Sequence, residues 1–312
     1  MTGLKRWTAD HDPLSGLERV DWVNLHHAYG GADDVPAQLK ALLSNKSEDR
    51  RQARHELTGN IYHQGTRWQA SSHVVPFLAA LVDHRETPDR PAVLSVLRAV
   101  ALGDRDDTAL PFDARREFAA AEAVTDRDIA SMLDWLYGGG AEDGNEAEEI
   151  ERAVVVAWDR DAYLAAAAVA DRFVAWTGDP DPMVAAQAAE LIAWFPGTDD
   201  AIAALIAIPE TGDRAVVRAS ANLTLAYLSA SSPGIDQRLV CLLTAASYSV
   251  RLTAAVAVAL RLDNRMPEAA LGILIEARDH AVDLTSERFP LPWERSLIGF
   301  ASIALYQVGL AP

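Results

Sequence analysis

The sequence predicts an all-α fold in which antiparallel helical pairs stack into a right-handed α-solenoid. Three observations favour it: similar helical segments recur at a fixed offset, short loops separate them, and no segment sustains the two-residue alternation of a β-strand. Half of the 312 residues are hydrophobic, which is enough for a large core. The chain is rich in alanine, a strong helix former that is small enough to let helices approach closely.

Three segments of similar pattern begin at Val184, Val217 and Val250, so the offset between successive segments is constant. Apolar residues recur in each at three- and four-residue spacing, so each predicts a helix with one buried face. All three share an alanine four residues further on, where a neighbouring helix is expected to cross. The shorter helices predicted around them are 199–209, 235–246 and 267–280. Short connections between such helices indicate antiparallel neighbours.

A second repeat lies near the amino end of the chain, where the same Val-Pro pair occurs twice. Val35-Pro36 and Val75-Pro76 are each predicted to open a short helix with proline early in it. Ser47, which acidic residues follow, is predicted to be the N-cap of a longer helix between them. The order short helix, long helix, short helix is therefore expected at both ends of the chain.

A single α-solenoid domain is predicted over residues 1–312, in three parts. Residues 1–103 form amino-terminal helical repeats, and residues 146–312 form carboxy-terminal repeats. Between them, residues 104–145 form an irregular acidic helical insert that ends in a glycine-rich acidic loop. No strand and no Lys-Ser/Thr pair flanks these glycines, so they do not match a phosphate-binding loop.

The formal net charge is −17, and nearly all of the acidic excess lies between residues 101 and 200. Such a concentration of charge indicates either a solvated insert or a surface for a cationic partner. The acidic balance also disfavours nucleic acid as a partner, because a groove that holds phosphates needs lysine and arginine.

Targeting features and cysteine usage favour a cytoplasmic protein without membrane contact. The amino-terminal residues contain no apolar stretch typical of a secretory signal, and no apolar run approaches the roughly 18 residues that span a bilayer. The single cysteine, Cys241, has apolar neighbours and is predicted to be a buried, unreactive thiol.

Paired helices recur from Val184 to Val217 to Val250, and again from Val35 to Val75. With proline in the first helix and a Val/Ala-rich second helix, these pairs resemble HEAT repeats. The segment Asp179-Pro-Asp-Pro-Met-Val-Ala-Ala-Gln-Ala-Ala is similar to the HEAT turn that enters the second helix. Two amino-terminal segments resemble a large group of uncharacterised bacterial HEAT-repeat proteins: Val20-Asp-Trp-Val-Asn-Leu-His-His-Ala-Tyr-Gly and Gly59-Asn-Ile-Tyr-His-Gln-Gly-Thr-Arg-Trp. The resemblance implies a helical solenoid and supplies no assigned activity.

Histidines are concentrated in the amino-terminal part of the chain, where all but one of the eight occur. They are His11, His26, His27, His55, His63, His73 and His84. Helical metal chelation usually needs two ligands three or four residues apart, and no pair has that spacing. We therefore predict no metal site and no cofactor.

The densest cluster of polar and aromatic residues lies in the same part of the chain and is the candidate ligand-binding site. Its residues are His27, Tyr29, Asn60, His63, Gln64, Arg67, Trp68 and His73. Two interpretations remain open. The side chains either cap a helix that ends at Gly65 and hydrogen-bond between repeats, or form a small polar pocket where His27, Tyr29 and His63 meet.

Three tryptophans, Trp158, Trp176 and Trp194, recur at a constant interval of five helical turns. Core packing along helices predicts them, and a stacking platform for nucleobases is the alternative. Asp179 and Asp181, close to the second tryptophan, are predicted to be N-cap and first-turn acids of a helix instead of a catalytic pair.

The favoured functional hypothesis is a non-catalytic scaffold that binds a protein or peptide on the solenoid surface. The first alternative is a small-molecule-binding or tailoring enzyme with a His/Tyr pocket in the amino-terminal third. A HEAT-like DNA glycosylase is less favoured, because the repeats offer few basic residues, chiefly Arg218 and Arg251. Those two arginines equally suit hydrogen bonds to neighbouring acids that bridge repeats, and no catalytic residue is assigned.

Overall fold

The computed structural model describes residues 12–138, 145–228, 233–280 and 291–310. Their α-helices are α1 Val35–Ala41, α2 Ser47–Ile61, α3 Ser71–Asp83, α4 Arg90–Leu102, α5 Ala114–Glu117, α6 Asp126–Tyr137, α7 Asn145–Ala167, α8 Ala170–Trp176, α9 Pro182–Ile192, α10 Asp199–Ala207, α11 Ala215–Tyr227, α12 Pro233–Cys241, α13 Tyr248–Leu262, α14 Glu268–Asp279 and α15 Leu297–Gln307. This predominance of helix confirms the all-α prediction. The stacking of pairs into a right-handed solenoid stays a prediction.

Two β-hairpins interrupt the helices, each built from strands of two residues. β1 His26–His27 pairs antiparallel with β2 Gly30–Gly31, and β3 Tyr62–His63 pairs antiparallel with β4 Thr66–Arg67. In the second hairpin both turn residues, Gln64 and Gly65, have positive φ, as a type I′ turn requires. The sequence analysis expected no sheet, because strands this short cannot show a two-residue alternation.

The chain forms two compact units that do not follow sequence order. The first comprises the described residues of Met1–Asp104 and Asp113–Val169, and the second comprises those of Arg105–Phe112 and Ala170–Pro312. A segment of the predicted acidic insert therefore belongs to the second unit, whereas α5, α6 and α7 belong to the first. Residues 139–144 of the predicted acidic loop lie outside the described residues.

In the first unit, α3 packs on α4 and α7, and α6 packs on the same long α7. A cluster around Met132, Val154 and Trp158 fills the space where α6 and α7 meet. The pair α1 and α2 packs together at the amino end of the unit. The two hairpins precede α1 and α3, so the helices that contain Pro36 and Pro76 each follow a hairpin.

In the second unit, α11 packs between α9 and α13, the three helices that the constant offset predicts. The shared alanines Ala188, Ala221 and Ala254 are fully buried, as expected where helices cross closely. Polar side chains of α11 also join the three helices: Ser220 donates to the Ala186 carbonyl of α9 at 2.8 Å. The predicted helices of this region are therefore confirmed.

Arginine side chains cap the carboxyl ends of several helices. Fully buried Arg218 donates to the Leu205 carbonyl of α10 at 2.5 Å and to Asn222 Oδ1 at 2.9 Å. Burial lowers the pKa of Arg218 to about 9. Arg251 donates to the carbonyls of Ala245 and Ala246, which follow α12, at 2.8 and 3.0 Å. Both aligned arginines thus link helices, with backbone carbonyls as the acceptors and not the neighbouring acids.

Two predicted helix starts differ from the structure. Ser47 is the first residue of α2, and Lys46 stands at its N-cap without a side-chain cap. Pro76 lies inside α3, which begins five residues earlier at Ser71. The Ser71 hydroxyl accepts from the Trp68 amide and donates to the Ile61 carbonyl, so it fixes the start of α3 upstream of the proline. Asp181, in contrast, is the N-cap of α9 as predicted.

The structure also tests the predicted burial of Cys241 and of the three evenly spaced tryptophans. Cys241 is exposed at the end of α12, so the prediction of a buried thiol is wrong. Among its apolar neighbours, Leu239, Leu242 and Leu243 are buried, whereas Val240 is exposed. Trp158, Trp176 and Trp194 are all buried, which confirms core packing. Within the described ranges, no helix combines the length and the apolar character needed to cross a membrane.

Candidate functional site

An open groove runs between α1 and α2 in the first unit. On α2 the residues at four-residue spacing, Glu48, Gln52, Glu56 and Asn60, share one face of the helix. Small side chains on both helices leave the groove open, with a volume of about 680 Å³. The lining residues are Asp34, Ala37, Gln38, Ala41, Glu48, Asp49, Gln52, Ala53, Glu56 and Asn60.

The lining of this acidic groove consists of carboxylates, carboxamides and alanines, and it includes no basic side chain. Two carboxylates have partners outside the groove: Glu48 pairs with exposed Arg51, and Asp49 accepts a hydrogen bond from Ser44. Glu56 accepts from Gln52 within the groove, at 2.7 Å. The groove therefore presents hydrogen-bond acceptors and negative charge to whatever enters it.

Asp34 closes one end of the groove and joins three buried side chains. Its Oδ1 accepts from His27 Nε2 at 2.9 Å, and its Oδ2 accepts from Gln38 and Asn60 at 2.8 and 2.9 Å. The Tyr29 amide donates to His27 Nδ1 at 3.1 Å, which places the hydrogen of the neutral imidazole on Nε2. The Asp34 side chain remains 48% exposed, so it faces both the interior and the groove.

Gln38 carries an acceptor that the surrounding protein does not satisfy. Gln38 is only 7% exposed, and its Nε2 donates a hydrogen bond to Asp34. Among the described residues nothing donates to Gln38 Oε1, which is buried. An unsatisfied buried acceptor costs about 1–3 kcal/mol, so this oxygen is a local cost to the stability of the first unit.

The tips of the two hairpins meet beside the Asp34 end of the groove. The Ala28 amide donates to the Asn60 carbonyl at 2.9 Å, which ties the first hairpin to the end of α2. Tyr29, 69% exposed, places its hydroxyl 3.3 Å from His63 Nδ1, and the two rings lie edge to face at 5.2 Å. Behind them Tyr137 donates to the His27 carbonyl at 2.6 Å.

The structure thus brings four of the eight candidate residues together: His27, Tyr29, Asn60 and His63. The other four have different neighbours. Gln64 is the exposed turn residue of the second hairpin. The helix that precedes this hairpin ends at Ile61, so the expected helix end near Gly65 is corrected to a hairpin turn.

Arg67 and Trp68 belong to a buried network behind the second hairpin. Buried Arg67 places Nη2 2.7 Å from Asp159 Oδ2, and the Trp68 ring packs 5.7 Å from that of Trp158. Arg67 fills the space beside Gly103, where a Cβ would overlap its guanidinium. These contacts join the hairpin to α7 and leave the arginine inaccessible to a ligand.

The adjacent Tyr62 and the more distant His73 are also held in the body of the first unit. Tyr62 donates to Asp104, and burial, followed by this hydrogen bond, raises the pKa of its hydroxyl. The His73 ring packs edge to face against Trp22 at 6.4 Å. Burial lowers the pKa of His73, against the opposing effect of Asp161. Neither side chain lines the acidic groove.

The sequence analysis missed Asp34, Gln38 and the acids of α2. Asp34 and Gln38 resemble ordinary residues at the start of a helix, and acids in a first helical turn have an ordinary explanation in the helix dipole. The available signal was the series Glu48, Gln52, Glu56 and Asn60, whose spacing predicts one polar face.

Metal ligation has no support within the described residues, where no three His, Cys, Asp or Glu side chains are grouped to hold an ion. His11 lies outside the described residues. No protein-family model, curated protein or solved structure matches the chain. The resemblance to HEAT-repeat proteins therefore remains a prediction from the sequence.

Proposed function

We propose that this chain is a binding protein whose acidic groove takes a basic, extended segment of a protein partner. The groove itself supports the proposal most directly: four carboxylates line a space that has no lining cation. Ammonium and guanidinium groups are hydrogen-bond donors of opposite charge, so lysine and arginine side chains complement this surface.

The spacing of the polar residues supports an extended occupant. Glu48, Gln52, Glu56 and Asn60 rise about 6 Å per step along α2, or roughly 18 Å in all, because each helical residue rises about 1.5 Å. In an extended peptide, side chains on one face are about 6.6 Å apart. A segment of about seven residues with a basic side chain at every second position would match these four helix positions.

The acids at the start of α2 have a second role, which guides the choice of variant. Glu48 and Asp49 lie in the first turn, where negative charge stabilises the helix through its dipole. Glu56 lies two turns further on and is free of this effect. Substitution of Glu56 therefore tests the charge of the groove without weakening the helix start.

A fluorescein-labelled peptide in which lysine alternates with serine tests the proposal by fluorescence anisotropy. We expect binding at low salt that weakens as salt rises, and a Glu56→Gln variant that binds about three- to five-fold more weakly. Glu86→Gln, which removes the same charge from an exposed residue outside the groove, should bind like the wild type. Absence of binding, or equal losses in the two variants, would contradict a groove-specific site.

A further inference from the structure

We infer that Tyr29 and His63 extend the acidic groove with an aromatic subsite for an arginine side chain of the same basic segment. This inference rests on the proposed function and adds a residue preference to it. Tyr29 is the observation that motivates it, since a tyrosine that is 69% exposed on a hairpin tip buries little of its ring in the fold.

The exposed ring is held in a fixed position although it is not buried. The Tyr29 hydroxyl lies 3.3 Å from His63 Nδ1, with the rings 5.2 Å apart at 65°. The His27 ring lies 6.4 Å from the Tyr29 ring at 72°. A side chain already fixed in this way loses little conformational entropy when a ligand packs on it.

The aromatic subsite is continuous with the groove through one imidazole. His27 receives the Tyr29 amide on Nδ1 and donates from Nε2 to Asp34, which lines the groove. Asn60, another lining residue, accepts from the Ala28 amide through its carbonyl. The tyrosine therefore follows directly on the end of the groove that Asp34 and Gln38 line.

A cation is the ligand group that suits both parts of this surface. The face of a tyrosine ring attracts cations, and the half-exposed Asp34 carboxylate, which His27 joins to Tyr29, adds an opposite charge at this end of the groove. Arginine fits better than lysine, because its planar guanidinium stacks on an aromatic ring while its N–H groups still reach a carboxylate. We therefore expect a terminal arginine in the partner segment, next to the alternating basic residues.

A double-mutant cycle with the labelled peptides tests the subsite. Two alternating lysine–serine peptides carry one arginine, at the amino end in one and at the carboxyl end in the other, and each has a matched peptide with alanine instead. We expect Tyr29→Ala to weaken binding of one arginine peptide about three- to five-fold and to leave the alanine peptides unchanged. Tyr29→Phe, which keeps the ring, should retain most of the affinity.

The outcomes separate this inference from the proposed function. If Tyr29→Ala changes no peptide, or weakens arginine and alanine peptides alike, the aromatic subsite is wrong, while a Glu56-dependent affinity still supports the groove. If the wild type binds none of the peptides, both proposals fail. Circular dichroism and thermal melting of Tyr29→Ala establish that the variant is folded before its affinity is compared.

Discussion

Asp34 stands at the N-cap position of α1 but does not cap the helix with its side chain. Its oxygens are committed instead to His27, Gln38 and Asn60, which are all buried. A carboxylate is the appropriate group here because it accepts from several donors at once and donates to none. The residue thereby fixes the hairpin, α1 and α2 around one point and orients the carboxamides that line the groove.

Replacing Asp34 with asparagine should destabilise the first unit. Its amide nitrogen would face a buried donor, so we expect the free energy of unfolding to fall by about 1–3 kcal/mol. Urea denaturation followed by circular dichroism measures this change. The adjacent exposed Asp33→Asn removes the same charge and should lie within about 0.5 kcal/mol of the wild type. Similar losses in both variants would show that Asp34 acts only through net charge.

At the residue scale, several residues near the candidate site could be predicted from the sequence, but which of them contact one another could not. It selected His27, Tyr29 and His63, which do meet, because polar and aromatic residues are concentrated in the amino-terminal part of the sequence. It also grouped Arg67 with them, although this side chain packs on Asp159 of α7. That separation depends on a contact between residues distant in sequence, which a local pattern does not encode.

Helix ends are the element-scale feature that accounts for the two aligned arginines of the second unit, Arg218 and Arg251. The last carbonyls of an α-helix lack partners within the helix and carry partial negative charge, so a guanidinium is a suitable cap. Arg218 serves α10 in this way from a fully buried position, and Arg251 serves the turn after α12 from a partly exposed one. The same kind of contact thus occurs in two surroundings at the same repeat position.

Methionine substitutions at these two positions should have different effects. Arg218→Met leaves the Leu205 carbonyl and Asn222 Oδ1 buried with a lost donor, so we expect a loss of about 2–3 kcal/mol in unfolding free energy. Arg251→Met should cost at most about 1 kcal/mol, because water can reach the carbonyl of exposed Ala246. Urea denaturation of both variants provides the comparison. Equal losses would contradict the importance of burial at the first position.

At the element scale, long periodic segments were predictable and short ones were not. The helices α9, α11 and α13 each repeat an apolar pattern over several turns, which identifies them without tertiary information. Each hairpin strand contains only two residues and depends on contacts with α2 and α3. The position of Pro76 inside α3 likewise follows from Ser71, whose hydroxyl bonds a residue of the preceding helix.

At the scale of the whole molecule, the second unit incorporates a short segment from between α4 and α5. The two carboxylate oxygens of buried Asp107 share the Arg295 Nε–H, at 2.9 and 2.8 Å, and Oδ2 also accepts from the Tyr227 hydroxyl at 3.2 Å. Burial, with Asp107 nearby, raises the pKa of Tyr227 and keeps it protonated as a donor. The predicted parts of the chain follow sequence order, and no local pattern indicates that this segment joins residues so far along the chain.

Removal of Arg295 should weaken the second unit selectively. Arg295→Met leaves the Asp107 carboxylate buried without its cation, and we expect a loss of about 3 kcal/mol. Hydrogen exchange measured by mass spectrometry should show faster exchange in Arg105–Phe112 and α11, with unchanged rates in α1 to α3. Glu294→Gln, at the neighbouring position, is the comparison variant. Faster exchange throughout the first unit would contradict this assignment of the segment.

The bond between Asp107 and Arg295 also has a consequence for folding during synthesis on the ribosome. The two residues are 188 positions apart, and ribosomes add about 5–20 residues per second. Asp107 consequently leaves the ribosome roughly 10 to 40 seconds before its arginine does. The remaining residues of the first unit, Asp113–Val169, are synthesised within that interval. The first unit of the nascent chain can therefore fold before Arg295 is synthesised. Until then the Asp107 carboxylate remains in contact with water.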